Sequence, residues 1–253
     1  MSQNATAGTP TAVYTPGAFV WHELQTKDTA KAETFYTALF GWTIKAVDMG
    51  NMMYHLIHLG DKQIGGMMTV QDEKLPSFWT GYVSVPDVDQ AAASATAAGG
   101  QIVAGPMDIP NVGRFAISVD SLGAVVALFK SVHGDPLTDR PESGEFCWDH
   151  LNTTDAAAST AYYEKVVGWQ KAEGDVFKYG DLMEASFGAA PEGVPPSWVT
   201  HIVIPDLAAA TQKAAGLGAT ILMSDVPAGE FGRFSVIQDP TGGVFALFQG
   251  NEG

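Results

Sequence analysis

The sequence predicts an α+β fold built from two tandem copies of one unit, and three observations support this prediction. A block of the first half recurs in the second half at a nearly constant spacing. Each copy contains alanine-rich segments preceded by an aspartate, and short apolar segments of strand length follow them. Internal repeats are considered first because they determine the whole architecture.

The repeat is clearest near the start of each copy. The pattern Phe-x-Trp-x-x-Leu-x-Thr-x-Asp surrounds Trp21 and recurs around Trp148, 127 residues later (148 − 21). Toward the end of each copy, Gly-Arg-Phe motifs contain Arg114 and Arg233, which are 119 residues apart (233 − 114). Because 127 exceeds 119 by 8, we expect the first copy to be eight residues longer in its middle.

The helices are predicted from their ends. Four aspartates precede alanine-rich segments and are expected to be N-caps: Asp28, Asp87, Asp155 and Asp206. An aspartate side chain can accept hydrogen bonds from the free N–H groups of a first helical turn. Gly41 and Gly168 follow the two longer segments, and glycine suits the left-handed position that ends a helix.

Strands are predicted on both sides of each helix. In the first copy they cover residues 42–47, 53–59, 63–70, 101–103, 114–119 and 125–130. With an opening strand before each aspartate, the order strand, helix and three strands occurs four times. The sequence therefore predicts four βαβββ modules that form two cupped, mostly antiparallel sheets, with the helices on the outer face.

The segment between the copies is polar and contains several glycines and prolines, which is typical of a linker. We therefore divide the chain into a flexible arm (residues 1–16), a first domain (17–131), a linker (132–144) and a second domain (145–253).

Charge and composition exclude several classes of partner. The net charge is -15 and the pI is about 4.5, so nucleic acids and anionic membrane surfaces repel the chain. The N-terminal segment lacks the basic start and apolar core of a signal peptide. One cysteine, Cys147, excludes an internal disulfide and favours a cytoplasmic location.

These motifs together resemble the vicinal oxygen chelate superfamily, which includes glyoxalases, bleomycin-resistance proteins and ring-cleaving dioxygenases. The shared features are the aspartate-capped helix that ends in Gly-Trp, the Val-Pro-Asp segment, and Asp-x-x-Gly-x-x-x-x-Leu-Phe near the end of each copy. The resemblance covers about residues 17–131 and 145–249. It implies tandem glyoxalase-like domains with a pocket in each cup, and it extends to a subgroup of tandem glyoxalase-like bacterial proteins.

The resemblance also implies a divalent metal, held by His, Gln or Glu side chains on four strands of each cup. The matching positions fall on or near Trp21, Gly65, Gly66, Thr80 and Ala127 in the first copy, and Trp148, Ser186, Phe187, Val199 and Ala246 in the second. Trp, Val, Ala and Gly provide no side-chain ligand. We therefore expect that both cups lack the usual metal site and that the protein has no cofactor.

Polar and aromatic side chains share the strand faces of these positions, because strand side chains alternate in direction. We predict that small-molecule sites are lined by Trp21, Glu23, Gln25 and Tyr82 in the first cup, and by Trp148, His150, Asn152 and His201 in the second. Such mixed surfaces are typical of ligand sites. Structural roles stay open: Glu23 could pair with Arg114, and both histidines could be ordinary hydrogen-bonded residues.

The leading hypothesis is a metal-free protein that binds a small apolar or aromatic molecule. One alternative is a metal-dependent lyase, isomerase or dioxygenase, in which His150, His201 and Glu184 hold iron in the second cup. Another is a metal-free enzyme in which Glu23 is a general base near Tyr82, if burial raises its pKa. A structural or partner-binding protein is a further alternative. The tandem copies favour a monomer and leave a homodimer open.

Overall fold

A computed structural model describes residues 12–50, 52–72, 74–136 and 140–251. Most of the predicted arm, residues 1–11, lies outside the described residues. Within the described ranges, no helix is both long and apolar enough to cross a membrane.

The first half forms one eight-stranded sheet. Its strands are β1 (Phe19–Thr26), β2 (Thr43–Asp48), β3 (Met53–Leu59), β4 (Lys62–Thr69), β5 (Phe78–Ser84), β6 (Gln101–Ile109), β7 (Gly113–Val119) and β8 (Val125–Ser131). Its helices are α1 (Thr29–Phe40) and α2 (Val88–Ala97).

The second half forms a second eight-stranded sheet. Its strands are β9 (Phe146–Thr153), β10 (Gln170–Ala172), β11 (Val176–Tyr179), β12 (Leu182–Ala189), β13 (Ser197–Val203), β14 (Thr220–Pro227), β15 (Gly232–Gln238) and β16 (Val244–Gly250). Its helices are α3 (Ala156–Val167) and α4 (Leu207–Gly216).

Both sheets have the same topology. The strand order is β2-β3-β4-β1-β5-β8-β7-β6 in the first and β10-β11-β12-β9-β13-β16-β15-β14 in the second. Two modules lie side by side in each sheet and are joined by one antiparallel pair, β1 with β5 or β9 with β13. Only the closing pair of each module is parallel, for example β1 with β4. The predicted α+β fold of four βαβββ modules is therefore confirmed.

The helix ends follow the predicted capping. The Asp28 side chain accepts a hydrogen bond of 2.9 Å from the backbone N–H of Lys31. Gly41 ends α1 with a φ of 75°, in the left-handed region where glycine carries no steric penalty. Asp155 and Gly168 repeat this arrangement around α3.

The strands differ in length from the prediction at β6 and between the two copies. β6 extends to Ile109, beyond the predicted end at residue 103, because its alternating pairing with β7 continues through two irregularities. The extra residues of the first copy lengthen one hairpin: β2 and β3 have six and seven residues, whereas β10 and β11 have three and four.

The helix-bearing faces of the two halves share one interior. Tyr36 in α1 donates a hydrogen bond of 2.7 Å to Asp239 of the second half, and Tyr163 in α3 donates one of 3.1 Å to Asp120 of the first. Two core clusters contain residues of both halves. The buried apolar surface between the halves is the main source of their association.

A polar pair lies in the middle of this contact. Nε2 of His22 is 2.9 Å from Oδ2 of Asp149, and the two residues are only 5% and 2% exposed. The imidazole stacks on Phe146 with ring centroids 4.2 Å apart. His22 therefore has a structural role in the contact between the halves.

Candidate functional site

We use the name first cup for the face of the first sheet that points away from the helices, and second cup for the matching face of the second sheet. In β1, Leu24 packs into the helix-bearing core, so its neighbours Glu23 and Gln25 point into the first cup. In β5, Trp79 joins the same core, and Tyr82 lies on the opposite, cup face with Ala127 and Phe129.

The first cup contains a buried carboxylic acid. Glu23 is 5% exposed and is hydrogen-bonded by the side chains of Tyr54, Tyr82 and Gln25. Burial raises the pKa of Glu23 above its ordinary value of 4.5, and these hydrogen bonds only partly oppose the effect. Burial and the neighbouring Glu23 charge raise the pKa of Tyr54 and of Tyr82 well above 10, so both hydroxyls stay protonated.

Tyr54 reaches the carboxyl because position 66 is a glycine. A Cβ at Gly66 would lie 1.9 Å from the Tyr54 hydroxyl oxygen and 2.3 Å from the ring carbon that carries it, so the ring would have to move. The indole N–H of Trp21 donates a hydrogen bond of 3.0 Å to that hydroxyl. Gly66 lies opposite Glu23 in the pairing of β1 with β4, so the Tyr54 hydroxyl at Gly66 is next to Glu23.

Thr80 is the other register partner of Glu23, on β5. Its side chain is 1% exposed, and its hydroxyl oxygen has no hydrogen-bond partner. A buried hydroxyl without a partner costs roughly 1–3 kcal/mol, so such a group needs an explanation. Around it, the rings of Tyr82 and Phe129 make an edge contact, and Trp21 and Phe115 pack against the same cluster.

The second cup has a different set of polar groups. The indole N–H of Trp148 donates a hydrogen bond of 2.8 Å to the Ser186 hydroxyl, which also lies 2.8 Å from Nδ1 of His150. Ser186 is the register partner of His150 and so stands where Gly66 stands in the first cup. Burial lowers the pKa of His150, which keeps the imidazole neutral near pH 7.

His201 lies deeper in the second cup. Nδ1 lies 3.1 Å from the carbonyl oxygen of Val199, so the ring proton is on that nitrogen. Burial, and secondarily the neighbouring His150, lower the pKa of His201 to about 4. Its ring makes an edge contact with Phe234. The cup therefore contains two neutral imidazoles beside aromatic rings.

Two further polar residues lie on this sheet. Asn152 makes a long hydrogen bond of 3.5 Å to Ser197. Glu184 is half-buried on β12, two residues before Ser186, and burial raises its pKa to about 7. Among the residues that the structure describes, no three His, Cys, Asp or Glu side chains converge in a way that could hold a metal ion. His150, His201 and Glu184 are thus not brought together as a ligand set.

The metal implied by the superfamily does not fit either cup. Trp21 and Trp148 use their indole N–H groups as hydrogen-bond donors, and the Ala127 and Ala246 side chains contain no ligand atom. At the remaining positions the side chains are Gly66, Thr80, Ser186 and Val199, which together provide only two hydroxyls. Divalent metals of this superfamily need nitrogen or carboxylate ligands, so we derive no chemistry through a metal here.

The sequence interpretation of Glu23 as a partner of Arg114 is wrong. Arg114 forms ion pairs with Asp89 at 2.7 Å and with Asp108 at 2.9 Å instead. Arg233 pairs with Asp225, so both recurring arginines make structural salt bridges. Two surface cavities of about 490 and 200 Å³ lie near Arg114 and between α2 and α3, and the predicted site residues line neither of them.

Two residues of the cups were not predicted as ligand-binding residues, although Ser186 was matched to a metal position. Tyr54 and Ser186 make the central hydrogen bonds of the first and second cup. Tyr54 acts from the edge hairpin β2–β3 across to Gly66, and only the hairpin register brings the two residues together. Alternation along β3 could have placed Tyr54 on the cup face, but it could not have identified its partner.

The fold and the cups define a class: a tandem protein whose four βαβββ modules form two cupped sheets. Residues 18–54 match a family model described as bleomycin resistance protein-like N-terminal, and residues 145–248 match a glyoxalase-like domain. The chain belongs to the vicinal oxygen chelate superfamily, the glyoxalase, bleomycin-resistance and dioxygenase group.

Three similar proteins illustrate this membership. The candidate glyoxylase CFP32 of Mycobacterium tuberculosis (strain CDC 1551 / Oshkosh) is 30% identical over 93% of this chain and 96% of its own. The anthracycline biosynthesis protein DnrV of Streptomyces peucetius is 28% identical over 95% and 96%. The Mn(II)-bound glyoxalase of Novosphingobium aromaticivorans shares the fold, with a TM-score of 0.62 and 13% identity over 92% of this chain and 82% of that one.

Proposed function

We propose that this protein binds a small, uncharged, apolar or aromatic molecule in its cups without a metal. The observation that carries the proposal is the composition of the cups: aromatic rings surround a few polar groups, and the usual metal positions hold no imidazole or carboxylate. The proposed ligand-binding residues are Trp21, Glu23, Gln25, Tyr82, Trp148, His150, Asn152 and His201.

The protonation states of the buried histidines favour an uncharged ligand. His201 and His150 are held neutral by burial, so the second cup offers no buried cation to an anionic ligand. The net charge of -15 also repels anions at long range. Burying an ion without a partner is costly, which favours an uncharged ligand.

The names of the relatives are compatible with a small-molecule ligand, since one is a candidate glyoxylase and another belongs to the biosynthesis of a small molecule. We further propose a cytoplasmic monomer, because the chain has one cysteine and its halves already pack against each other. Light scattering would test the mass of the particle.

Binding is tested with the full chain and the uncharged fluorescent probe 1-aminoanthracene. We expect a saturable signal that is weakened about tenfold or more by Trp21→Ala or by Trp148→Ala, since buried aromatic contacts dominate such sites. Phe231→Ala is the matched control, because Phe231 is a solvent-exposed aromatic residue outside the cups. A probe that does not bind, or that binds equally to all variants, would contradict the proposal.

Metal content is measured in parallel on protein purified without chelators or affinity tags. We expect no stoichiometric transition metal in the wild type or in the double variant His150→Ala/His201→Ala. Near-stoichiometric iron, manganese, nickel or zinc that the double variant loses would instead support the metal-dependent enzyme in the second cup.

A further inference from the structure

We infer that the first cup is an acid–base site, in which Glu23 transfers a proton on an uncharged carbonyl compound while Thr80 hydrogen-bonds the carbonyl oxygen. The inference rests on the proposed function, because it requires that a small molecule enters this cup. It goes beyond that function by assigning a reaction and two residues with separate roles.

Hydrogen-bond donors from neighbouring residues surround the Glu23 carboxyl. The Trp21 indole N–H can only donate, so it occupies a lone pair of the Tyr54 oxygen and leaves the Tyr54 proton for Glu23. Tyr82 hydrogen-bonds the same carboxyl from the adjacent strand. Such donors restrict the orientation of a carboxylate, which a general base requires.

Thr80 is an independent indication of a ligand. Its hydroxyl is buried and has no partner, although it lies on the strand next to Glu23 in direct register. A ligand oxygen that accepted a hydrogen bond from the Thr80 hydroxyl would give this hydroxyl its missing partner. The donor would then face the place where negative charge develops when Glu23 removes a proton from the adjoining carbon.

Burial gives the carboxylate suitable strength. It raises the pKa of Glu23, which makes the ionised form a stronger base than an exposed glutamate. The side chains of Trp21, Gln25 and Tyr54, which neighbour Glu23, are half-buried, so this part of the cup is partly open to solvent.

The proposed step conserves atoms and electrons. The Glu23 carboxylate takes a proton from the carbon next to the carbonyl group, and the C–H electron pair forms the C=C bond of an enolate. The carbonyl π electrons move to oxygen, which the Thr80 hydroxyl stabilises by hydrogen bonding. Glu23 then returns the proton to the same carbon or to a conjugated one, so the net result is exchange or isomerisation without oxidation or reduction.

The second cup provides an internal comparison. His150 stands at the position of Glu23, and Val199 stands at the position of Thr80, because the two pairs occupy equivalent registers. At these two positions the second cup therefore has neither a carboxylate nor a hydroxyl. The proposed chemistry is confined to the first cup, although both cups belong to the same fold.

The test uses the full chain with acetophenone in D₂O and follows deuterium exchange of the methyl hydrogens by NMR. We expect exchange above the buffer rate that rises with pH as Glu23 ionises. Glu23→Gln is expected to lower the exchange rate by about 100-fold or more, the usual contribution of a general base. Thr80→Val, which copies the second cup, is expected to lower the maximal rate by about tenfold or more with little change in KM.

Glu164→Gln is the matched control, since Glu164 is exposed on α3 and the substitution is the same. Acetophenone binding to each variant is measured by quenching of tryptophan fluorescence. Binding without exchange above buffer, or exchange that survives Glu23→Gln, would overturn the acid–base site and leave the proposed function standing. If neither acetophenone nor 1-aminoanthracene binds, the proposed function itself fails.

Discussion

At the scale of the residue, the first cup concentrates its polarity in one carboxyl group. Glu23 is buried among Trp21, Tyr54 and Tyr82, and its ionised form is stabilised only by hydrogen-bond donors. A raised pKa means that Glu23 binds its proton more tightly in the folded state than in the unfolded chain. The buried group therefore links the stability of the whole protein to pH.

The sign of this linkage gives a prediction. The stabilisation associated with protonated Glu23 is fully present below the unfolded pKa of about 4.5 and is lost as the pH rises through the higher folded pKa. We expect Glu23→Gln to flatten the decline of the free energy of unfolding over that range, measured by urea unfolding between about pH 4 and pH 8. Glu164→Gln should leave the profile unchanged, and an equal decline in Glu23→Gln would contradict the prediction.

At the scale of the element, the two cups differ through one hairpin. In the first half, β3 is long enough to carry Tyr54, and Gly66 on β4 leaves room for its hydroxyl. In the second half β11 starts at Val176, so a turn replaces the residues that would match Tyr54, and Ser186 supplies the hydroxyl from β12. In each cup a hydroxyl group accepts the hydrogen bond of the tryptophan indole, but this hydroxyl comes from β3 in the first cup and from β12 in the second.

Gly66 is therefore expected to tolerate no larger side chain while Tyr54 is present. Gly66→Ala should destabilise the protein by about 1–3 kcal/mol, the usual cost of overpacking, measured by urea unfolding. In a protein that already carries Tyr54→Ala, the Gly66→Ala substitution should cost less than it does in the wild type, because the ring that it would contact is gone. Purely additive effects of the two substitutions would argue against the contact as the cause.

The repeat and the capping aspartates were sufficient to predict the fold and the helix ends, because these depend on local sequence. The cup faces of Glu23 and Tyr82 followed from strand alternation. The partners of Glu23 did not, since Tyr54 reaches it through a hairpin register that sequence periodicity does not specify. The pairing of His22 with Asp149 could not be predicted for a related reason: the two residues lie 127 positions apart, across the contact between the halves.

At the scale of the whole molecule, residues at equivalent positions of the repeat form the contact between the two halves. At some of these positions the residue types differ. Tyr36 and Tyr163 occupy equivalent helices and make equivalent bonds to aspartates of the opposite half. His22 and Asp149 also occupy equivalent positions in the repeat, yet they are different and bind each other. The approximate symmetry of the contact is broken at this buried polar pair.

This difference predicts the result of exchanging the two residues. His22→Asp or Asp149→His alone places like groups against each other in a buried site, and each should cost about 3–5 kcal/mol of unfolding free energy. The double exchange His22→Asp/Asp149→His restores an unlike pair and should recover much of the loss in urea unfolding. A double variant as unstable as the sum of the single variants would show that the pairing of unlike groups is unimportant.

The unlike pair also distinguishes the tandem chain from a pair of single copies. A gene shortened to a single copy would encode a subunit that meets an identical subunit across the same face. That subunit would confront histidine with histidine, or aspartate with aspartate, where the tandem chain has a complementary bond. Each half therefore carries only one side of the complementary bond, and neither copy alone could encode both sides.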